Sequence, residues 1–135
     1  KEMIHRALRV FNLFLPILAG LSLLVGGVVV ANLMLISVSE RTAEIGLRKA
    51  VGARSKDILF QFLLETVVIT IAGGVVGIAA GIGGVRAMAG MMQIPVSIPA
   101  IALVLGIVMP SLVGIVAGVV PARRAAALEP VEALR

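Results

Sequence analysis

Three long apolar runs, residues 10–38, 58–85 and 98–120, leave this chain few ways to fold. The first and third carry no charge, and only Gln61 and Glu65 interrupt the second. About 20 apolar helical residues cross the hydrocarbon core of a bilayer, so each run is long enough to span. The first can tilt or project beyond one face. Lipid offers the backbone no hydrogen-bond partner, so runs of this length fold as helices that satisfy their own N–H and C=O groups. With 60% hydrophobic and 14% charged residues in 135, the chain departs from the soluble norm of about half and about a quarter. A soluble core of this size could not hold so much apolar surface. The composition excludes a soluble enzyme, a disordered tail and, with no Cys, a disulfide scaffold. The expected fold class is an all-α membrane protein with three transmembrane helices and a short helix between the first and second. The opening residue is Lys1, and we expect the chain to be part of a longer polypeptide.

The net charge is +5. The basic residues flank the apolar runs, and the only aromatics are Phe11, Phe14, Phe60 and Phe62, so no basic–aromatic stripe exists and nucleic acid is not an expected partner. Loop 39–57 and tail 121–135 together hold eight basic residues: Arg41, Arg48, Lys49, Arg54, Lys56, Arg123, Arg124 and Arg135. Lys1, Arg6, Arg9 and Arg86 fall on the other side. The positive-inside rule therefore places loop and tail in the cytoplasm, with the short 87–97 loop outside. Ser55 and Asp57 are expected to start the second helix, as N-cap and first-turn acid. Pro16 is expected near the start of the first span, where proline costs least. Pro110 predicts a kink in the third, and Pro121 its end.

Within the spans, Gly73, Gly77 and Gly81 recur every four residues and share one helix face. Gly114 and Gly118 repeat the device in the third run. Small residues at this spacing let two helices approach closely, within the chain or between two copies, although glycine is also common in membrane helices generally. Asn32 reads as an interhelical hydrogen-bonding residue at the inner end of the first span. Glu65 sits near the cytoplasmic interface and reads as a snorkelling or helix-contacting acid, with a proton relay as the sharper alternative. No ring of charge lines a pore. His5 stands alone, so no metal site is expected, and no base is placed to activate a Ser or Thr, so no catalytic residue is expected. No G-K-[ST] follows the glycine-rich stretch, so this chain is expected to carry no ATPase of its own.

The loop S-E-R-T-A-E-I-G-L-R-K-A-V-G-A-R-S-K-D is the most informative stretch. Glu40 and Glu44 come early and Arg48 and Lys49 late, which complements a short helix dipole. Glu44 and Arg48 form an i,i+4 pair. Ile45, Leu47, Ala50 and Val51 supply apolar contacts, and Gly52 is a natural stop. On the residues alone, this short amphipathic helix is either a solvated, topology-setting loop or a docking element for a cytoplasmic partner.

The stretch V-S-E-R-T-A-E-I-G-L-R-K-A-V-G-A-R, followed by I-L-F-Q-F-L-L-E and G-G-V-V-G, resembles the FtsX-like permease family of ABC transporters, MacB type. The ending G-V-V-P-A-R-R-A-A-A-L-E-P-V-E-A-L-R is similar to that family's C-terminus, and Asn32-Leu33-Met34 fits its preceding span. The resemblance implies the last three of four spans, with the first span and a large extracytoplasmic domain preceding Lys1. It implies that the loop helix is a coupling helix docking on an ABC nucleotide-binding subunit or domain through Glu40, Arg41, Glu44, Ile45, Gly46, Arg48 and Lys49, with Gly52 and Ala53 as the turn. ATP and Mg would sit on that partner, and this chain would hold no cofactor. The permease would form a homodimer or heterodimer in the inner membrane of a bacterium or archaeon, among membrane lipids and with a periplasmic or extracellular adaptor. ATP-driven motion would be passed to the extracytoplasmic domain for export or extraction. The alternatives are a scaffold of the same architecture that activates an extracytoplasmic cell-wall hydrolase, and a fragment of a secondary carrier.

Overall fold

Helix is the conformation that leaves no backbone group of an apolar run unpaired. The computed structural model describes residues 2–128, apart from the side chains of Ile4 and Ala7, and shows four helices and, among the described residues, no strand. They are α1 (Glu2–Glu40), α2 (Thr42–Ala50), α3 (Ser55–Met92) and α4 (Ala100–Ala127). Three of these, α1, α3 and α4, are long and apolar enough to cross a membrane. At 1.5 Å per residue, α1 and α3 are each nearly 60 Å long, about twice the hydrocarbon thickness, so both project beyond it.

The helices overrun the apolar runs. The charged stretch before residue 10 belongs to α1, and α3 continues past Arg86 to Met92. Pro16 lies in the interior of α1 rather than in its first turn, and its missing N–H leaves the Asn12 carbonyl without its helical donor. Pro121, expected to end the third span, is instead fully buried inside α4, which runs on to Ala127. Proline's fixed φ suits a helix, and only the one backbone hydrogen bond is lost. The N-cap of α3 is Arg54, not Ser55. A guanidinium has no acceptor, so the cap comes from the other direction: the Arg54 backbone N–H donates to Asp57 Oδ2 at 3.2 Å. Residues 129–135 of the expected tail, with Lys1, lie outside the described residues.

The central helix is α4, which packs on α1 and α3. Its contact with α3 advances four residues at a time along both helices in antiparallel register. Gly118 faces Thr66, Gly114 faces Thr70, and Gly106 and Pro110 face Gly74. A Cβ on Gly118 would sit 2.9 Å from Thr66 Oγ1, and one on Gly74 only 2.8 Å from the Gly106 carbonyl oxygen. The hydroxyls in this seam are satisfied within their own helix: Thr66 Oγ1 donates to Phe62 O at 2.8 Å, and Thr70 Oγ1 lies within hydrogen-bonding distance of Thr66 O and Val67 O. The approach of α1 is made at Gly27, where a Cβ would meet Val113 at 2.6 Å.

Gly114 and Gly118 are therefore packing positions. Gly73, Gly77 and Gly81 are not, within this chain: a Cβ on any of them would meet nothing within 4 Å. The neighbouring Gly74 makes the close approach instead, because the seam through Thr66 and Thr70 reaches residue 74 in steps of four. Gly73 and Gly77 line a groove of about 550 Å³ between α1 and α3, with Gly106, Pro110 and Val113 of α4 also lining it. Asn32 is exposed, and no hydrogen bond from its side chain to another helix is found among the described residues. The buried face of α1 runs through Gly27, Met34 and Val38, and Asn32 falls off that stripe.

The apolar core lies at one end of the bundle. Met34 and Val38 of α1, Ile45 of α2, Ile58 and Phe62 of α3, and Ala122 and Ala125 of α4 form one buried cluster. Every residue from Leu8 to Ser22 is exposed, as are nearly all in the outer half of α3.

Gly74→Ala is expected to destabilise the protein by about 1–3 kcal/mol, because a backbone oxygen cannot rotate out of the way. Gly20→Ala, at a position with nothing within 4 Å, is the matched control and is expected to leave stability unchanged or slightly raised. At Thr66, size rather than the hydroxyl is expected to matter: Thr66→Val costs about 1 kcal/mol, whereas Thr66→Leu drives α4 away. Thermal unfolding of the detergent-solubilised protein reads all four.

Candidate coupling site

A single residue, Arg41, separates α2 from α1. The Thr42 hydroxyl reaches back to Ser39 O at 2.8 Å, pinning the first turn of α2 onto the last turn of α1. The other end is closed by glycine. Gly52 adopts φ +105, its N–H donates to Lys49 O, and the Ala53 N–H donates to Arg48 O, both at 3.0 Å. This pair of bonds is the Schellman arrangement, which needs a residue free to take positive φ. The acid Glu44 lies in the first turn of α2 and Arg48 and Lys49 lie in the last, matching its dipole.

The expected docking residues divide between two faces. Ile45 and Gly46 are buried against the bundle and offer no surface to a partner. Ala53 is half-buried against the same core. Lys49 is also half-buried, and its ammonium donates to the carbonyl oxygens of Ala126 and, at 2.8 Å, Leu128, where α4 ends. Glu40, Arg41, Glu44, Arg48 and Gly52 remain exposed. Arg48 joins Glu44 at 2.6 Å and Gln61 of α3 at 2.8 Å. Arg41 approaches Glu65 at 4.0 Å, so the acid inside the second apolar run faces the α1–α2 junction.

Two residues not singled out for docking define the outward face. Leu47 is 57% exposed and Val51 83% exposed. They are four residues apart and so lie on one face of the helix, opposite Ile45 and Lys49. The signal was present in the spacing: a short helix with apolar residues on opposite sides has two surfaces to cover, and the bundle covers one. Leu47, Arg48, Val51 and Ala53 line an open depression of about 400 Å³ there.

The FtsX-like permease C-terminal family matches residues 16–130. The chain is 48% identical over 118 residues to the Bacillus subtilis ABC transporter permease YknZ, covering 87% of this chain and 30% of that protein. It is 42% identical over 135 residues to the Bdellovibrio bacteriovorus macrolide export ATP-binding/permease protein MacB, covering all of this chain and 21% of that protein. It is 47% identical over 135 residues to the Chlorobium luteolum protein of the same name, again covering all of this chain and 20% of the relative. The chain thus spans between a fifth and a third of the length of these relatives. Matching a C-terminal permease family over most of its length, and carrying three helices long and apolar enough to cross a membrane, the chain belongs to the FtsX-like permease family and is a multi-pass membrane segment of that kind.

Proposed function

We propose that this segment passes ATP-driven motion across the membrane, with α2 as the coupling helix that docks on a cytoplasmic nucleotide-binding domain. The observation that carries this reading is the exposed apolar pair Leu47 and Val51 on a helix whose Ile45 is buried among the inner ends of the spans. Outside the bilayer, such a pair is covered by a protein surface at lower free energy than by water. Arg48 lines the same depression, and the exposed Glu40, Arg41 and Glu44 would add charge at its border, the arrangement in which a desolvated apolar centre carries affinity and a charged rim sets register.

ATP and Mg belong to the partner in this reading, and the chain itself does no hydrolysis. Some relatives are named ATP-binding/permease proteins and one is named a permease, so the motor is either fused or separate. Macrolide export is the activity in the names of proteins of which this chain matches about a fifth. Here the cargo class is a hydrophobic or peptide-like substrate, moved by export or extraction. A second permease copy and an extracytoplasmic adaptor complete the assembly.

A photo-crosslinker at Ala43, exposed on α2, is expected to capture a protein that also labels with an ATP analogue, using the full-length polypeptide in native membranes. Leu47→Asp with Val51→Asp is expected to reduce that capture about tenfold or more, equivalent to ~1.4 kcal/mol of docking free energy. Undiminished capture by the double variant would exclude this face. Glu44→Arg with Arg48→Glu keeps the internal ion pair while reversing the charge shown to a partner. It is expected to leave the spans folded and to lower transport per ATP hydrolysed. Normal coupling in that variant counts against a charged rim.

A further inference from the structure

Among the described residues, α4 ends without a cap of its own: after Ala127, Leu128 has φ −58 and ψ 128, which does not turn the chain back onto the final carbonyls. The last C=O groups of a helix have no intrahelical donor and carry the negative end of its dipole. Lys49 supplies what is missing from 77 residues away: its ammonium donates to Ala126 O and, from the same nitrogen, to Leu128 O. The cap of α4 is thus a side chain of α2.

This bond differs from the other links that hold α2. Arg48 to Gln61 and Arg41 to Glu65 tie it to α3, and both are formed by exposed or half-exposed groups open to water and salt. Short connections in the chain also fix α2 to α1 and to α3. The α2–α4 pair has no such connection. What joins them is the apolar cluster containing Ile45, Ala122 and Ala125, together with Lys49. Apolar packing resists being pushed together, but a gap of 0.5–1 Å already forfeits about a quarter to a half of the attraction. A charged donor shared between two carbonyl oxygens resists being pulled apart.

We propose that Lys49 is the positioning residue that makes α4 follow α2, so that a pull on the coupling helix reaches the central span through this ammonium clamp. The proposal rests on α2 docking the ATPase as above. It takes Lys49 out of the docking surface and makes it an internal tie.

The test uses the full-length polypeptide with its nucleotide-binding domain, reconstituted in lipid nanodiscs, with spin labels at Ala43→Cys and Arg123→Cys, both exposed positions. Electron–electron distances are measured without nucleotide and after trapping with ATP and vanadate. A crosslinker at Ala43 in a parallel sample reports docking. With Lys49 intact, the α2–α4 spacing is expected to be the same in both states, and Lys49→Arg is expected to preserve this. Lys49→Met keeps the aliphatic stem and removes the donor. It is expected to shift the trapped-state spacing to longer distance, with capture at Ala43 unchanged. Lys49→Gln, a shorter and uncharged donor, replaces it where the Met variant does not insert, and the same shift is expected. Constant spacing in the Lys49→Met or Lys49→Gln protein, with capture intact, overturns this proposal alone. A spacing that changes between states with Lys49 intact does the same. Absence of capture in the unsubstituted protein overturns the docking reading and this proposal together.

Discussion

Close approach of α3 and α4 is the condition on which the rest of the structure depends. Inside a bilayer an apolar side chain gains nothing by leaving lipid for protein, so helices stay together only where their atoms fit more closely than lipid would. The seam from Thr66 to Gly74 on α3, against Gly118, Gly114 and Gly106 on α4, meets that condition with glycines on both sides. The threonine hydroxyls do not bridge the helices. They are satisfied along their own turns, and their small β-branched shape fills the hollow that each facing glycine leaves. With α4 set against α3, an adjacent side of α4 receives α1 at Gly27 through Val113, and the order of the bundle follows.

The inner end of the bundle is built on different physics. There α1 breaks at Arg41 and α2 begins, and Ile45 is buried among the inner ends of the spans. A helix of nine residues is too short to be stable in water by propensity alone. Its length is sustained by the buried side of Ile45 and Gly46, the Gly52 closure and the charged ties to Gln61 and to the end of α4. The same ties explain why its outward side can be apolar: the backbone is held from within, so Leu47 and Val51 are free of any structural duty.

Much of this was legible in the sequence because it is local. Three uncharged or nearly uncharged stretches gave three membrane-crossing helices, and the order of Glu44, Arg48 and Gly52 gave a short helix with a definite end. What was not legible is the rotation of each helix about its axis. Gly73, Gly77 and Gly81 make as regular a stripe as Gly114 and Gly118, yet only the second stripe is packed within the chain, because the phase of α3 is set by Thr66 and Thr70. Asn32 makes no interhelical hydrogen bond among the described residues for the same reason: the stripe of α1 that touches α4 is chosen by Gly27 and Met34. The division of the loop helix into an inward Lys49 and an outward Leu47 needs a partner helix whose end is unknown until α4 is placed. Pro121 does not end α4 because proline removes only one helical hydrogen bond, and its buried ring packs inside the bundle.

The core is confined to one end, and its location has a mechanical consequence. The four helices are gripped where Phe62, Ile45 and Ala122 meet, while the far end of α1, from Leu8 to Ser22, has no such filling. A helix clamped at one end behaves as a lever. For an arm of about 40–50 Å, a tilt of about 5° at the clamp displaces the free end by roughly 3–4 Å. Small rearrangements among the inner side chains are therefore magnified on the opposite side of the membrane without any change in the helices themselves.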